Sequence, residues 1–198
     1  TFSLYYQNAM IRHYSTVLLL ALAITGCQPH LKHPKPAEQE LAQIGNDVAT
    51  ISQQTLFRNV SAAMKRSGAE YALDFCNLRA MPLTDSLSAA HGMAIQRITD
   101  RSRNPQNTLK TENDHAVFRR FSSTGQLQDT LVIESGKPIY YKRISIGMPA
   151  CTKCHGIPQK EIQPATLKKI LALYPKDQAT GYQLNDFRGL WKISFNQK

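Results

Sequence analysis

The sequence predicts an α+β protein, because helical periodicity dominates its first half and strand patterns dominate the second. Apolar residues recur at helical spacing over residues 37–65, whereas the later part of the chain carries short β-branched and aromatic runs. Helices that precede an antiparallel sheet are typical of the α+β class. With 198 residues and 42% hydrophobic content, the chain is long enough for about one domain with its own core.

The individual elements follow from periodicity and from residues that break it. A long amphipathic helix is predicted over 37–65, and Ser67-Gly68 interrupts it. A shorter helix follows over 69–80, and Met81-Pro82 is expected to end it. Further helices are predicted at 109–121 and 165–174, with a turn-rich loop at 103–107. Strands are predicted at 93–99, 130–134, 138–146 and 189–195.

Residues 1–27 are predicted to be a signal peptide that ends in a lipobox-like cysteine. A cationic start near Met10 precedes a short apolar run, and Ile24-Thr-Gly-Cys27 supplies small residues before the cysteine. Cys27 would then carry the lipid, residues 28–36 would form a Pro-rich tether, and the domain would span 37–198. Gln28 favours the periplasmic side of the outer membrane in a Gram-negative host. The alternative is an ordinary secretory signal or an uncleaved anchor.

The formal net charge of +10 suits nucleic acid, a membrane surface or an acidic partner. Lys and Arg occur in pairs at most, without a dense basic block, so we expect no nucleic-acid partner. The expected partners are a redox or signalling protein and, through the N-terminal lipid, a membrane.

The motif with the clearest chemistry is Cys151-Thr-Lys-Cys-His155. Two cysteines three residues apart on one helical turn reach the two vinyl groups at one edge of a porphyrin, and the adjacent histidine ligates the iron. The motif predicts one covalent haem c at Cys151, Cys154 and His155. A thioredoxin-like dithiol and half of a zinc site also use this cysteine spacing, but they do not require the histidine.

The second axial ligand of such an iron would have to precede the motif, because residues 156–198 contain no Met, His or Cys. The candidates are Cys76, His91, His115, Met64, Met81, Met93 and Met148. Cys76 is the thiol that lipid and haem leave unexplained, and Arg79 one turn away would stabilise its thiolate. A buried structural cysteine is an equally good interpretation.

Several segments resemble a bacterial family of single-haem c-type domains of unknown function. They are the helix with Cys76, Arg103-Asn-Pro-x-Asn107, Tyr140-Tyr-Lys-Arg143, the Cys151–His155 motif, Gly181-Tyr-Gln183 and Arg188-Gly-Leu-Trp-Lys-Ile193. The resemblance implies a PAS-like sensory sheet behind long N-terminal helices. It also implies axial ligation of the iron by His155 and Cys76, and no enzyme activity.

The resulting hypothesis is a redox- or gas-responsive sensor module, in which an external ligand binds only after Cys76 leaves the iron. A periplasmic electron-transfer cytochrome is the alternative. A peroxidase-like enzyme would need an open iron site with acid–base groups such as His91 or His115, and we do not expect one. The cations considered for the haem propionates are Arg97, Arg101, Arg103 and Lys142-Arg143, each of which is otherwise a solvated surface charge.

Overall fold

A long kinked helix lies against a four-stranded antiparallel sheet in the part of the protein that the computed structural model describes, residues 36–195. The helices are α1 (Pro36–His91), α2 (Glu112–Ser123), α3 (Pro149–His155) and α4 (Pro164–Leu173), with a short 3₁₀ helix at Pro105–Asn107. The strands are β1 (Met93–Ile98), β2 (Asp129–Glu134), β3 (Lys137–Ser145) and β4 (Phe187–Phe195). The α+β prediction is confirmed, whereas the more specific PAS-like assignment stays a prediction.

The predicted signal peptide, Cys27 and most of the tether lie outside the described residues. Over residues 36–195, none of the helices combines the length and the apolar character that crossing a bilayer requires.

Helix α1 is interrupted where the sequence predicted a break, but it does not end where a stop was expected. Gly68 has a φ of 77°, a conformation that glycine adopts without steric cost, and the chain kinks there. The stop predicted at Met81-Pro82 is wrong, since the helix continues to His91. Pro82 removes the donor to the carbonyl of Leu78, but Leu78 is exposed, so water can replace that hydrogen bond.

Helix α2 begins three residues later than predicted because its first turn is capped. The Thr111 side chain accepts a hydrogen bond from the backbone N–H of Asp114, and the Asp114 carboxylate accepts one from the backbone N–H of Thr111. This reciprocal capping box fixes the start at Glu112. The predicted strands and helix α4 occur within about two residues of their expected bounds.

The sheet has the order β1-β4-β3-β2, so the last strand lies in the middle between the first and third. All neighbours are antiparallel, with Arg97 opposite Trp191 and Tyr141 opposite Lys192. Because side chains alternate along a strand, the sheet has two distinct faces. This order places β4, the last strand in the chain, between two strands that precede it in the sequence.

Each face of the sheet carries its own core. One core joins Val48 and Ala49 of α1 to Tyr140, Trp191 and Ile193. The other joins the apolar face of α2 to the opposite side of the sheet, at Ile98, Val117, Phe118, Phe121, Ile139, Tyr141 and Leu190. Packing on both sides holds β4 rigidly, and β4 in turn positions the side chains described below.

Helix α1 approaches the sheet closely at Gly45. A β-carbon at this position would overlap Cγ of Tyr140, well inside van der Waals contact. Gly45 therefore allows the helix to lie directly on the Tyr140 ring. A third small core of Leu73, Ile162 and Ile170 ties the part of α1 beyond the kink to α4 and to Cys154.

Candidate cofactor-binding site

A cavity of about 480 Å³ lies between α1, the sheet and α3. Its wall includes the side chains of Cys76, Cys151, Cys154 and His155, together with apolar residues such as Leu73 and Trp191. The three motif residues and the unexplained thiol are therefore brought to one place. They surround the cavity, and within residues 36–195 no three His, Cys, Asp or Glu side chains converge tightly enough to chelate a single ion.

Helix α3 presents the two motif cysteines. Pro149 starts this helix at a position that needs no N–H donor, and the seven-residue helix ends at His155. Cys151 and Cys154 are free, half-buried thiols one turn apart. Burial raises the pKa of Cys154 to about 11, against the lowering effect of Arg103, so its thiol is protonated at neutral pH.

His155 is held by the loop that precedes β4. Its Nδ1 lies 2.8 Å from the carbonyl oxygen of Ala179, which makes Nδ1 the protonated nitrogen and leaves the lone pair on Nε2. The backbone N–H of Tyr182 donates to the carbonyl of His155 at 2.9 Å, and the Tyr182 ring meets the imidazole edge-on. Burial, followed by the charges of Arg103 and Arg188, lowers the pKa of His155 well below its ordinary value. The imidazole is therefore neutral and available as a ligand.

A buried ion pair supports this loop. Arg103 Nε lies 3.0 Å from the Asp177 carboxylate, with the two side chains only 10% and 2% exposed. Arg103 Nη2 also donates to the carbonyls of Cys154, at 2.6 Å, and of Ala179, at 3.4 Å. The same guanidinium thus fixes α3 and the carbonyl that orients His155.

Cys76 faces the cavity from the part of α1 beyond the kink. Burial raises the pKa of its thiol, whereas the nearby guanidinium groups of Arg97 and Arg103 oppose that effect. Arg79, which we expected to stabilise a Cys76 thiolate, is exposed, and the charges that act on Cys76 come from β1 and the loop after it. Arg97 and Arg103 come close to Cys76 only in the folded protein, so no local sequence pattern marks them as its neighbours.

The other six candidates for a second axial ligand divide into two groups. Met64, Met81 and Met148 also line the cavity. His91, His115 and Met93 are not part of its wall. The structure therefore brings Cys76 and three methionines to the cavity, and it does not bring the two histidines there.

The cations considered for the propionates also fall into two groups, those that line the cavity and those that do not. Arg97 and Arg103 line the cavity, as does Arg188, which the sequence analysis did not single out. Lys142 donates to side chains of α1, and Arg143 donates to backbone carbonyls near the end of α2. Arg101 is exposed and donates to the carbonyls of Gln178 and Thr180.

The fold and the cavity define an α+β domain in which four thiol and imidazole side chains line one cavity. Residues 21–196 match the Tll0287-like family, and the chain belongs to that family.

Among solved structures, the chain is similar to the crystal structure of the cyanobacterial haem protein Tll0287, with a TM-score of 0.58 and 20% sequence identity. The likeness covers 83% of this chain and 98% of the cyanobacterial one, and at this identity it shows a shared fold. No curated protein sequence matches the chain significantly.

Proposed function

We propose that this chain is an exported haem c protein in which Cys151 and Cys154 hold one haem covalently and His155 and Cys76 ligate its iron. The observation that carries the proposal is the convergence of the motif and Cys76 on one cavity. The solved relative Tll0287 is a haem protein, which supports the same cofactor here. Bound haem supplies a one-electron couple and an iron that can exchange an axial ligand.

The donor set fits this group. A neutral imidazole with a free Nε2 and a cysteine thiolate, which Cys76 would become by losing its proton on ligation, are both established axial ligands of haem iron. Two free cysteines on one turn of α3 suit thioether formation, in which each S–H adds across a vinyl group. The apolar wall around Leu73 and Trp191 suits the macrocycle, whose faces are hydrophobic.

Attachment is tested by mass spectrometry of the purified protein after proteolysis. The peptide that contains Cys151 and Cys154 is expected to be heavier by one haem. Cys151→Ala combined with Cys154→Ala is expected to lose the adduct, whereas Cys27→Ala, if the protein is still exported, is expected to keep it. Two unmodified thiols in the wild-type protein would refute the proposal.

Axial ligation by Cys76 is tested by the visible and electron paramagnetic resonance spectra of Cys76→Ser. We expect the low-spin ferric signal of thiolate ligation to disappear while the covalent haem remains. Met81→Leu, a change at a neighbouring cavity position, serves as the matched control and is expected to keep the thiolate signal. An unchanged ferric spectrum in Cys76→Ser would exclude the assignment.

We propose a sensor module as the physiological role, on a sheet of the PAS-like type. Cys76 belongs to α1, which packs on the sheet, while His155 belongs to α3, so the two ligands together would link α1 to α3 through the iron. Release of Cys76 would break that link and alter the surface offered to a signalling partner. Carbon monoxide binding to the ferrous protein is expected to be slow and independent of ligand concentration, and fast in Cys76→Ser. Equal rates in both proteins would contradict a switch.

Electron transfer is the second candidate, and the net charge of +10 favours it, because a basic surface suits an acidic redox partner. For a carrier, the rate of reduction by such a partner falls steeply as ionic strength rises. The binding of an uncharged gas by a sensor shows no such dependence. We propose no peroxidase-like activity, because His91 and His115, the acid–base groups considered for it, lie outside the cavity wall.

We also propose a lipid anchor at Cys27 that places the domain on the periplasmic side of the outer membrane. The support is the lipobox-like sequence Ile24-Thr-Gly-Cys27. Metabolic labelling with a radioactive fatty acid is expected to label the wild type and not Cys27→Ala. Labelling of both would refute lipidation at this residue.

A further inference from the structure

Two buried guanidinium groups of the cavity wall have no ion-pair partner among the described residues, unlike the neighbouring Arg103. Arg97 is on β1 and Arg188 on β4, and both side chains line the cavity. The Nε atoms of both are buried and have no hydrogen-bond partner among the described residues. A buried polar donor without a partner destabilises the folded state, and the more so when it carries a charge.

The other cations of this region are already engaged. Arg103 is paired with Asp177, and Arg101 donates to two loop carbonyls. Among the described residues, Nη1 of Arg188 donates to the hydroxyl of Thr99 at 3.1 Å, and the guanidinium carbon lies 5.3 Å from the centre of the Tyr182 ring. The guanidinium carbon of Arg97 lies 5.9 Å from the centre of the Trp191 ring, and Arg97 also interacts electrostatically with Cys76 and Tyr174. Both groups therefore keep unused donors at the cavity.

The cavity wall supplies no carboxylate to neutralise them. No Asp or Glu of the described chain lines the cavity, and the only other ionisable groups there are the three cysteines, His155, Tyr174 and the paired Arg103. Burial lowers the pKa of Arg97 and of Arg188, which is the expected sign of charge held away from water. Arginine nevertheless remains protonated in proteins, so the two guanidinium groups hold positive charge that no carboxylate of the cavity wall neutralises.

We propose that Arg97 and Arg188 are the binding site for the two carboxylates of the cofactor. This inference rests on the proposed function, since haem c is the group that would bring two carboxylates into this cavity. The charges also balance. Ferric haem with one thiolate ligand and two ionised propionates carries two negative charges, and the two unpaired guanidinium groups carry two positive ones. Arg103 and Asp177 neutralise each other.

The proposed carboxylate site consists of two particular arginines and is not a general property of the basic surface. Arg101, Lys142 and Arg143 have donors committed to backbone or side-chain acceptors. Guanidinium groups offer planar paired donors that match a carboxylate, and a charge-assisted hydrogen bond is about twice as strong as a neutral one. The two arginines would thereby orient the cofactor about the axis defined by the thioether bonds and His155.

Resonance Raman spectroscopy of the holoprotein tests the inference, because the bending bands of the propionates shift when their hydrogen bonds change. We expect Arg97→Gln and Arg188→Gln each to shift one component of this band, and the double variant to shift both. Arg119→Gln removes the same charge at an exposed position on α2 and is expected to leave the band unchanged. Arg97→Lys and Arg188→Lys keep the charge without the paired donors, so they test the same point if the Gln variants do not accumulate.

Three results would overturn the inference. The first is an unchanged propionate band in the double variant with normal haem content. The second is a change in the ferric thiolate signal of Cys76 alone, which would make Arg97 a partner of Cys76. The third is a shift of equal size in Arg119→Gln. Haem content is measured on the same samples by pyridine haemochrome, so wild-type protein without haem reports failure of the proposed function and not of these arginines.

Discussion

The buried ion pair between Asp114 and Lys192 gives a sharp test of how the central strand is held. The Lys192 ammonium lies 2.7 Å from Asp114 Oδ1, and the two side chains are only 10% and 1% exposed. The Tyr141 hydroxyl donates to the same oxygen at 3.0 Å, and the backbone N–H groups of Lys110 and Thr111 donate to the other oxygen at 3.3 Å. Lys192 follows Trp191 on β4, so this pair anchors the strand that forms part of the cavity wall.

The change Asp114→Asn keeps the size of the side chain and removes its charge. The ammonium of Lys192 then stays buried without a counter-charge, and breaking a buried pair in this way costs about 3–5 kcal/mol of stability. For a domain of this size, each kcal/mol corresponds to about 2–4 °C in Tm. The expected loss is therefore about 6–20 °C. Removing both charges in Asp114→Asn with Lys192→Met is expected to cost less than the single change.

Thermal and urea denaturation of the holoprotein, followed by circular dichroism, measures these effects. Asp85→Asn removes a charge from an exposed position on α1 and is expected to stay within about 0.5 kcal/mol of the wild type. A loss below about 1 kcal/mol in Asp114→Asn, or a double variant that loses the sum of both single changes, would refute the reasoning.

Three further predictions follow. Although burial opposes it, the ion pair with Lys192 lowers the pKa of Asp114, so the carboxylate stabilises the fold above the unfolded pKa near 4 and loses this effect as pH falls. In Asp114→Asn, the free energy of unfolding measured in urea should therefore change less with pH between about pH 5 and 2. A slope equal to that of the wild type would contradict this. A β-carbon on Gly156 would lie 2.5 Å from the carbonyl oxygen of Thr152, one turn earlier. Gly156→Ala is therefore expected to lower the stability measured by thermal denaturation by about 1–3 kcal/mol and to lower the haem content. Wild-type stability together with wild-type haem content would count against this expectation. Asp177→Ala removes the partner of Arg103, which supports the loop that orients His155. The variant should show several low-spin ferric species in electron paramagnetic resonance where the wild type shows one. A single unaltered species would exclude a role of Asp177 in positioning His155.

The sequence predicted the order of elements well because local patterns control them. Strand alternation and the capping residues of the helices are local signals, and the kink at Ser67-Gly68 is set by the conformational freedom of one glycine. Pro82 failed as a helix stop because its cost depends on surroundings that sequence does not contain. The carbonyl left without a donor belongs to an exposed residue, and α1 is held on the sheet by packing farther along the helix.

The candidate site was predictable only in part, for a similar reason. The Cys151–His155 motif is contiguous in sequence, so its presence is visible without a fold. Asp177 and the carbonyl of Ala179 reach His155 through a loop, and no local pattern marks them. Arg188 lies within a quoted segment, but its unpaired Nε becomes apparent only when β4 is placed beside β1. Such contacts depend on tertiary structure.

The central claim, that Cys151, Cys154 and His155 carry one covalent haem, is tested most directly by a pyridine haemochrome assay on the exported protein after extraction with acidified butanone. The account predicts one haem per chain that resists extraction and gives the α band of a haem with both vinyl groups saturated. Two results would contradict the account. One is haem that is extracted completely and has intact vinyl groups. The other is exported protein that contains no haem although the host assembles haem c.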